Sequence, residues 1–143
     1  MGAPGLDPLV VWFETLSPQS VARTAEFYAP GARFKDPFNE VQGVQAIAHI
    51  YAHMFVQVHA PRFRVLDRVQ DAGGALLTWE FSFAGKPGGP TTVVRGATHL
   101  KFDAQGLITD HRDYWDTGEE LYAKVPVLGA LMRWLRRRLS AGA

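Results

Sequence analysis

Two short stretches carry the side chains most suited to chemistry. The segment "FKDPF" at 34–38 sets Asp36 among aromatic residues, and "HRDYWD" at 111–116 places His111 two residues before Asp113. A carboxylate desolvated by aromatic neighbours holds a proton more readily, which suits a general base. The alternative for Asp36 is structural, because an aspartate before proline commonly opens a turn.

The second stretch offers a pair of groups that could act together. In an extended strand, alternation puts His111, Asp113 and Trp115 on one face and Arg112 on the other. The imidazole and the carboxylate could share a proton or orient a bound water. They could equally hydrogen-bond only each other or solvent, and the sequence leaves both interpretations open.

Composition excludes several classes of function. The 143-residue chain has no cysteine, so thiol catalysis, disulfides and cysteine metal sites are ruled out. Its formal net charge of +1 gives no overall field for nucleic acid. The first residues do not resemble a secretory signal, and no apolar run approaches the ~20 residues that span a bilayer. We therefore expect a cytoplasmic protein that neither binds nucleic acid nor inserts in a membrane.

No metal or cofactor is predicted. His49 and His53 lie four residues apart on a predicted helix, but the HExxH motif of zinc proteases is absent. We expect an ordinary, solvent-facing pair of histidines there. The chain also lacks a glycine-rich phosphate loop, and its acidic side chains are too scattered for a convincing metal site.

The periodicity of apolar residues predicts two helices near the start of the chain and a third after Gly43. Asp7-Pro8 and Ser17-Pro18 each combine a capping oxygen with a proline at the first helical position. Pro30-Gly31 is expected to end the second helix, and residues 32–36 to form a short strand. The third helix, "VQAIAHIYAHMFVQV", has its apolar residues at helical spacing.

After Pro61 the apolar pattern alternates and predicts four strands. The first, "RFRVLDRVQD", is expected to place Phe63, Val65 and Val69 on one face. The second, "ALLTWEFSF", does the same for Leu77, Trp79, Phe81 and Phe83. The last two, "TTVVRGATHLKFD" and "LITDHRDYWD", are joined by a tight turn at 103–106.

Helices gathered against a mostly antiparallel sheet make an α+β domain. We predict a single domain over residues 1–143, with an amphipathic C-terminal helix at about 127–139. Such a basic helix can lie on an anionic membrane. Packing on the domain or on a dimer partner is the interpretation we favour.

This order of elements resembles the nuclear transport factor 2-like superfamily, which includes ketosteroid isomerases, limonene epoxide hydrolases and SnoaL-like polyketide cyclases. The resemblance runs from about Leu9 to about Asp116, and its clearest marks are "FYAPGARFKDPFNEVQGVQAI" and "ITDHRDYWD". It implies a cone-shaped, curved sheet (a cystatin-like roll) wrapped around N-terminal helices, with an internal apolar cavity. It also implies a homodimer through the outer face of the sheet, where we expect Leu76, Leu100 and Tyr114.

The resemblance assigns Asp36 to the position of the proton-shuttling base of ketosteroid isomerases. The two oxyanion donors of those enzymes correspond here to Trp12 (or Phe13) and Thr98, which are weaker acids than the groups they replace. Steroid isomerisation is therefore not expected.

In limonene epoxide hydrolases the position of Asp113 belongs to an Asp-Arg-Asp catalytic set. The strand that should supply the other two members carries Glu80 and Ser82 instead. Epoxide hydrolysis is therefore not expected either.

We predict that the chain binds a small apolar, oxygenated molecule and acts on it, if at all, as an isomerase, cyclase or hydrolase. Asp36 is the predicted base, and His111 and Asp113 are its polar partners. The predicted ligand-binding residues are Trp12, Phe34, Tyr51, Trp79, Phe81, Thr98 and Trp115. Two alternatives remain, namely a non-catalytic binder and a dimeric interaction module whose pocket is filled by core side chains.

Overall fold

The computed structural model describes residues 6–120, 130, 133–134 and 137–138. Most of the predicted helix at about 127–139 therefore lies outside the described residues. The elements in chain order are α1 (Leu6–Glu14), a 3-10 helix (Ser20–Glu26), β1 (Tyr28–Lys35), β2 (Glu40–Gln42), α2 (Val44–Gln57), β3 (His59–Gln70), β4 (Gly74–Ala84), β5 (Thr91–Phe102), β6 (Ile108–Tyr114) and α3 (Thr117–Glu120).

The strands form one curved, open, six-stranded sheet in the order β2-β1-β6-β5-β4-β3. All neighbouring pairs are antiparallel except β1 and β6, which are parallel. The helices pack on one face of this sheet, so the predicted α+β class and the mostly antiparallel sheet are confirmed. Among the residues that the structure describes, no helix combines the length and the apolarity needed to cross a bilayer.

The core lies between the helices and the concave face of the sheet. Helix α1 contributes Leu9, Val10, Trp12 and Phe13, all buried, as its apolar periodicity requires. Helix α2 adds Ile47 and Tyr51 from its inward face. Burial of each large apolar side chain contributes roughly 1.5–3 kcal/mol, so this layer fixes the sheet against the helices.

The predicted second helix is shorter than expected and of a different type. It is a 3-10 helix that ends at Glu26, and Tyr28 and Ala29 already belong to β1. The cause is Pro30, because the residue before a proline is driven out of the helical region. Pro30 and Gly31 lie where the pairing of β1 with β6 shifts register, between Tyr28 and Arg33, so the missing proline N–H interrupts no regular ladder.

Strand β3 contains an irregularity that alternation alone could not predict. Val65 pairs with Trp79 but Asp67 pairs with Thr78, so one residue is inserted at Leu66. Such an insertion moves every later side chain to the opposite face. The prediction that Val69 faces the core with Phe63 is therefore wrong, and Val69 is 66% exposed on the outer face.

The outer face of the sheet also differs from the expected one at Leu100. This residue is completely buried, because β5 turns Thr98 and Leu100 inward and His99 outward. Val69, Leu76 and Tyr114 are among the exposed apolar side chains of the outer face, and we call these three the outer patch. Leu76 and Val69 are direct cross-strand partners within it.

Candidate active site

The concave face of the sheet and helix α2 enclose a cavity of about 640 Å³, which we call the main cavity. Its volume is typical of small-molecule sites. Strands β1, β3, β4 and β5 and the end of β6 supply its wall, and α2 supplies its other side. The lining aromatic residues are Phe34, Phe38, Tyr51, Phe63, Trp79, Phe81, Phe83 and Trp115.

A smaller space, the inner pocket, lies deeper between the sheet and α1. Its volume of about 30 Å³ is that of one water molecule. Thr98 and His111 line the inner pocket, whereas Tyr51, Trp79 and Asp113 line both spaces. Asp113 therefore stands where a ligand in the main cavity would meet the polar groups behind it.

A continuous chain of hydrogen bonds runs through these groups. The hydroxyl oxygens of Tyr51 and Tyr28 are 2.7 Å apart, and Tyr28 is 2.7 Å from Nδ1 of His111. Nε2 of His111 lies 2.7 Å from Oδ1 of Asp113. The Thr98 hydroxyl donates to the same oxygen at 2.6 Å and accepts the indole N–H of Trp79 at 2.7 Å.

Both tyrosines of this chain keep their protons at neutral pH. Burial raises the pKa of Tyr28 well above its ordinary value, against a smaller lowering by the hydrogen bond with Tyr51. Burial likewise raises the pKa of Tyr51, and the nearby Tyr28 and Asp113 raise it further.

A neutral imidazole at His111 satisfies the whole chain. Tyr51 then donates to Tyr28, Tyr28 to Nδ1 of His111, and Nε2–H to Asp113, so every proton has an acceptor among the described residues. The carboxylate of Asp113 is thus held by two donors on Oδ1. No described residue donates to its Oδ2, which leaves that oxygen for a ligand or a water.

Asp36 occupies the turn between β1 and β2 at the rim of the main cavity. Its Oδ1 accepts the backbone N–H groups of Phe38 at 2.8 Å and Asn39 at 2.6 Å, and the Asn39 side-chain amide contacts both carboxylate oxygens. This arrangement matches the alternative in which Asp36 opens a turn, and it differs from the desolvated carboxylate expected of a general base. The assignment of Asp36 as a base stays a prediction with no support from its hydrogen bonds.

The structure brings most of the predicted site residues to the two spaces. Asp36, Phe34, Phe81 and Trp115 line the main cavity, and His111 and Thr98 line the inner pocket, while the predicted Tyr51, Trp79 and Asp113 line both.

Trp12 is the exception. It lines neither space, is 2% exposed, and donates its indole N–H to the carbonyl of Ser20 at 3.0 Å. Its ring stacks on Phe27, so its place is in the core, and the prediction of ligand contact is corrected. Trp12 donates its N–H to Ser20 and Thr98 donates its O–H to Asp113, so neither side chain acts as an oxyanion donor here.

Three further residues belong to the site although the sequence does not point to them: Tyr28, Phe63 and Phe83. The sequence pattern predicts that Tyr28 is helical, whereas it lies in β1, where Pro30 favours extended backbone at Ala29 before it. Alternation predicts inward faces for Phe63 and Phe83, and both line the main cavity. Alternation identifies an inward residue but not whether it borders a void.

His49 and His53 are both exposed, as expected for an ordinary solvent-facing pair. Their rings stack with centroids 5.9 Å apart at the mouth of the main cavity. Within the described residues, no three His, Asp or Glu side chains come together in a way that could hold a metal ion.

Comparison with known proteins agrees with this architecture. A family model for the SnoaL-like domain matches residues 10–111, more than half of the 143-residue chain. No curated protein matches the sequence significantly.

Solved structures share the fold at low identity. A hypothetical protein with a ketosteroid isomerase-like fold from Catenulispora acidiphila DSM 44928, in complex with trimethylamine, is 14% identical with a TM-score of 0.68, over 83% of this chain and 91% of that chain. A proposed SnoaL-like polyketide cyclase from Jannaschia sp. CCS1 is 15% identical with a TM-score of 0.62, over 78% of this chain and 84% of that chain. TerC, co-crystallised with polyporic acid, is 13% identical with a TM-score of 0.62, over 76% of this chain and 85% of that chain.

Identities this low establish the fold and nothing finer, whereas the family model establishes membership. The curved sheet, the helices on its concave face and the matched region together confirm the resemblance drawn from the sequence. The chain belongs to the SnoaL-like family of the nuclear transport factor 2-like superfamily.

Proposed function

We propose that this protein binds a small, largely apolar molecule in the main cavity and moves a proton on it with Asp113 as the base. In this role Asp113 Oδ2 takes a proton from a C–H group or from a water beside the ligand. His111 and Thr98 act as positioning residues that hold Oδ1. Asp113 replaces Asp36 as our choice because the carboxylate of Asp36 is used in its turn.

The single observation that carries this proposal is the position of Asp113. It is the acidic residue that lines both the aromatic cavity and the inner pocket, and its carboxylate is fixed from behind by two short hydrogen bonds. A base held in one geometry loses little entropy when the reacting atoms align with it. The neutral hydroxyl and imidazole groups behind it can redistribute a proton without charging the apolar wall.

The comparisons support the proposal that the main cavity binds a small molecule. Within this fold, the Catenulispora protein is a complex with trimethylamine and TerC was co-crystallised with polyporic acid. The main cavity, with a volume of about 640 Å³, lies within the size range of sites that bind small organic molecules.

Binding in the main cavity is tested by filling it from helix α2. Ile50 lines the cavity, whereas Val56 is 79% exposed on the same helix. A fragment library is screened by ligand-observed NMR against the wild type, Ile50→Trp and Val56→Trp. We expect aromatic fragments to bind the wild type and Val56→Trp, and to lose at least about tenfold in affinity for Ile50→Trp, which is ~1.4 kcal/mol.

Equal binding by the two tryptophan variants, or no fragment binding to the wild type, would overturn the proposed binding site. Asp113→Asn separates binding from chemistry, since the amide keeps the shape of the carboxylate but cannot act as a base. Asp113→Asn is therefore expected to bind neutral fragments in the main cavity as the wild type does.

A further inference from the structure

The ionisable side chains that line the main cavity include more acidic groups than strongly basic ones. Among the described lining residues there are two carboxylates, Asp36 at the rim and Asp113 at the depth, and no lysine or arginine. The two lining histidines, His49 and His53, are exposed at the mouth. At a pH where these imidazoles are neutral, the charge that the lining side chains carry is negative.

The basic residues of the neighbouring strands lie elsewhere. Arg64 and Arg95 are both register partners of Glu80 on the outer face, opposite in direction to Trp79 and Val94, and both are exposed. Lys35 beside the rim pairs with Glu40, their charged atoms 3.7 Å apart.

Arg112 also turns away from the cavity. Its guanidinium lies over the ring of Tyr114 at 4.8 Å from the centroid. Lys35 and Arg112 line a separate space together with Asp36 and Asp113, but neither lines the main cavity, so no described lysine or arginine neutralises Asp113 from within that cavity.

Much of the remaining wall is aromatic, and aromatic faces carry partial negative charge. Phe63 packs against Trp79 with ring centroids 5.5 Å apart, and Phe81 stacks on Phe63 at 4.6 Å. Phe38 and Trp115 meet at 5.7 Å on the rim. Aromatic faces attract a cation that lies within about 6 Å of a ring centroid, more strongly when the contact is desolvated.

We infer that the ligand of this cavity is a hydrophobic cation, a tertiary or quaternary amine attached to an aromatic or alicyclic body. This inference rests on the proposed function and names the substrate class of the same site. The apolar body fills the aromatic wall, and the ammonium group lies toward the carboxylate of Asp113. A quaternary amine suits the site because it is weakly hydrated and needs no hydrogen-bond acceptors.

The test is a matched pair of probes that differ in charge and little in shape. Phenyltrimethylammonium and tert-butylbenzene are titrated at pH 8 into the wild type and followed by the fluorescence of the lining tryptophans and by protein NMR. We expect the cation to bind at least about tenfold more tightly than its neutral isostere. Asp113→Asn is expected to reduce that preference by about tenfold, and Asp36→Asn to reduce it less, because Asp36 is at the rim.

Asp110→Asn is the control for the loss of one negative charge. Asp110 lies on the same strand as Asp113, lines neither space, and accepts a hydrogen bond from Thr109. It should leave the preference unchanged, and circular dichroism shows whether each variant is folded. If Asp113→Asn does not fold, the preference lost in Asp36→Asn alone decides the test.

The outcomes separate this inference from the proposed function. Equal or tighter binding of tert-butylbenzene in the cavity would overturn the cationic ligand and leave the proposed binding site standing. A preference for the cation that persists in both cavity variants would also overturn it. Failure of both probes to bind would overturn the inference and count against the binding site as well.

Discussion

Tyr28 connects Tyr51, which lines the main cavity, to the buried imidazole of His111. It is 1% exposed and links the hydroxyl of Tyr51 to the imidazole of His111. Without it, His111 Nδ1 would face an apolar core with no donor, which costs roughly 1–3 kcal/mol for a buried polar group. The residue therefore belongs to the site although it lines neither space.

The raised pKa of Tyr28 predicts a loss of stability in alkali. Above pH ~10 an unfolded tyrosine releases its proton while the folded Tyr28 keeps it, so the unfolded state binds fewer protons and the free energy of unfolding falls as pH rises. Below pH ~10 this contribution is fully present. Tyr28→Phe removes it, so between pH 9 and 11 the variant should lose about 1 kcal/mol less than the wild type.

Urea denaturation at several pH values measures this difference. Tyr51→Phe provides a second case, because burial raises the pKa of Tyr51 in the same direction. A pH dependence of Tyr28→Phe identical to that of the wild type would show that the Tyr28 hydroxyl is not protected by folding.

The turn geometry of Asp36 leads to a prediction about the stability of the fold. This geometry predicts that Asp36→Ala destabilises by about 0.5–2 kcal/mol, because the N–H groups of Phe38 and Asn39 lose their acceptor.

Asp36→Asn should lie close to the wild type, since the amide oxygen can still accept. Thermal and urea unfolding of the two variants at pH 7 decide the matter. An alanine variant as stable as the wild type would remove the turn function from Asp36.

Among the elements, β4 and β5 approach each other closely where Trp79 faces Gly96. A Cβ added to Gly96 would lie 2.5 Å from Trp79 Cη2 and 3.0 Å from Trp115 Cβ. Both rings line the main cavity, so the absence of a side chain on β5 gives them their positions.

Gly96→Ala should destabilise the fold by about 1–3 kcal/mol, as overpacking commonly does, and displace Trp79 into the cavity. Gly31→Ala is the matched control, since it also lies in a strand and a Cβ there would meet nothing within 4 Å. Tryptophan fluorescence and urea unfolding report the two effects. If the two alanine variants are equally stable and bind aromatic fragments equally, the Trp79–Gly96 contact does not shape the site.

The elements were more predictable than the contacts between them. Helix α2 and strand β4 follow from strong periodicity, and the inward set Leu77, Trp79, Phe81 and Phe83 was read from alternation. The inserted residue at Leu66 was not predictable, because a bulge leaves no periodic signature. The hydrogen bonds of Tyr28 depend on the parallel pairing of β1 and β6, which joins residues far apart in sequence.

At the scale of the whole molecule, the outer patch leads to a prediction about assembly. Val69, Leu76 and Tyr114 are 66%, 46% and 49% exposed on the outer face of the sheet. Exposed apolar groups that neighbour one another commonly mark an interface. We predict a homodimer through this face, with a mass by light scattering at micromolar concentration of twice the 15.8 kDa chain.

Leu76→Glu should shift this assembly toward the monomer. Val56→Glu should not, because Val56 is 79% exposed on α2 and lies off the sheet. A wild type that scatters as a monomer, or a Leu76→Glu variant that dimerises as well as the wild type, would assign the outer patch another role.

The proposed role of Asp113 as a base in an aromatic cavity is open to a direct test. The direct measurement is the rate at which the protein exchanges the α-protons of aryl ketones for deuterium in D₂O, followed by NMR for ketones shown to bind in the main cavity. We expect exchange faster than in buffer for the wild type and for Asp110→Asn, and a loss of ~10²–10⁴-fold for folded Asp113→Asn. Exchange by Asp113→Asn at the wild-type rate, or no acceleration by the wild type of a ketone bound in the cavity, would contradict this role.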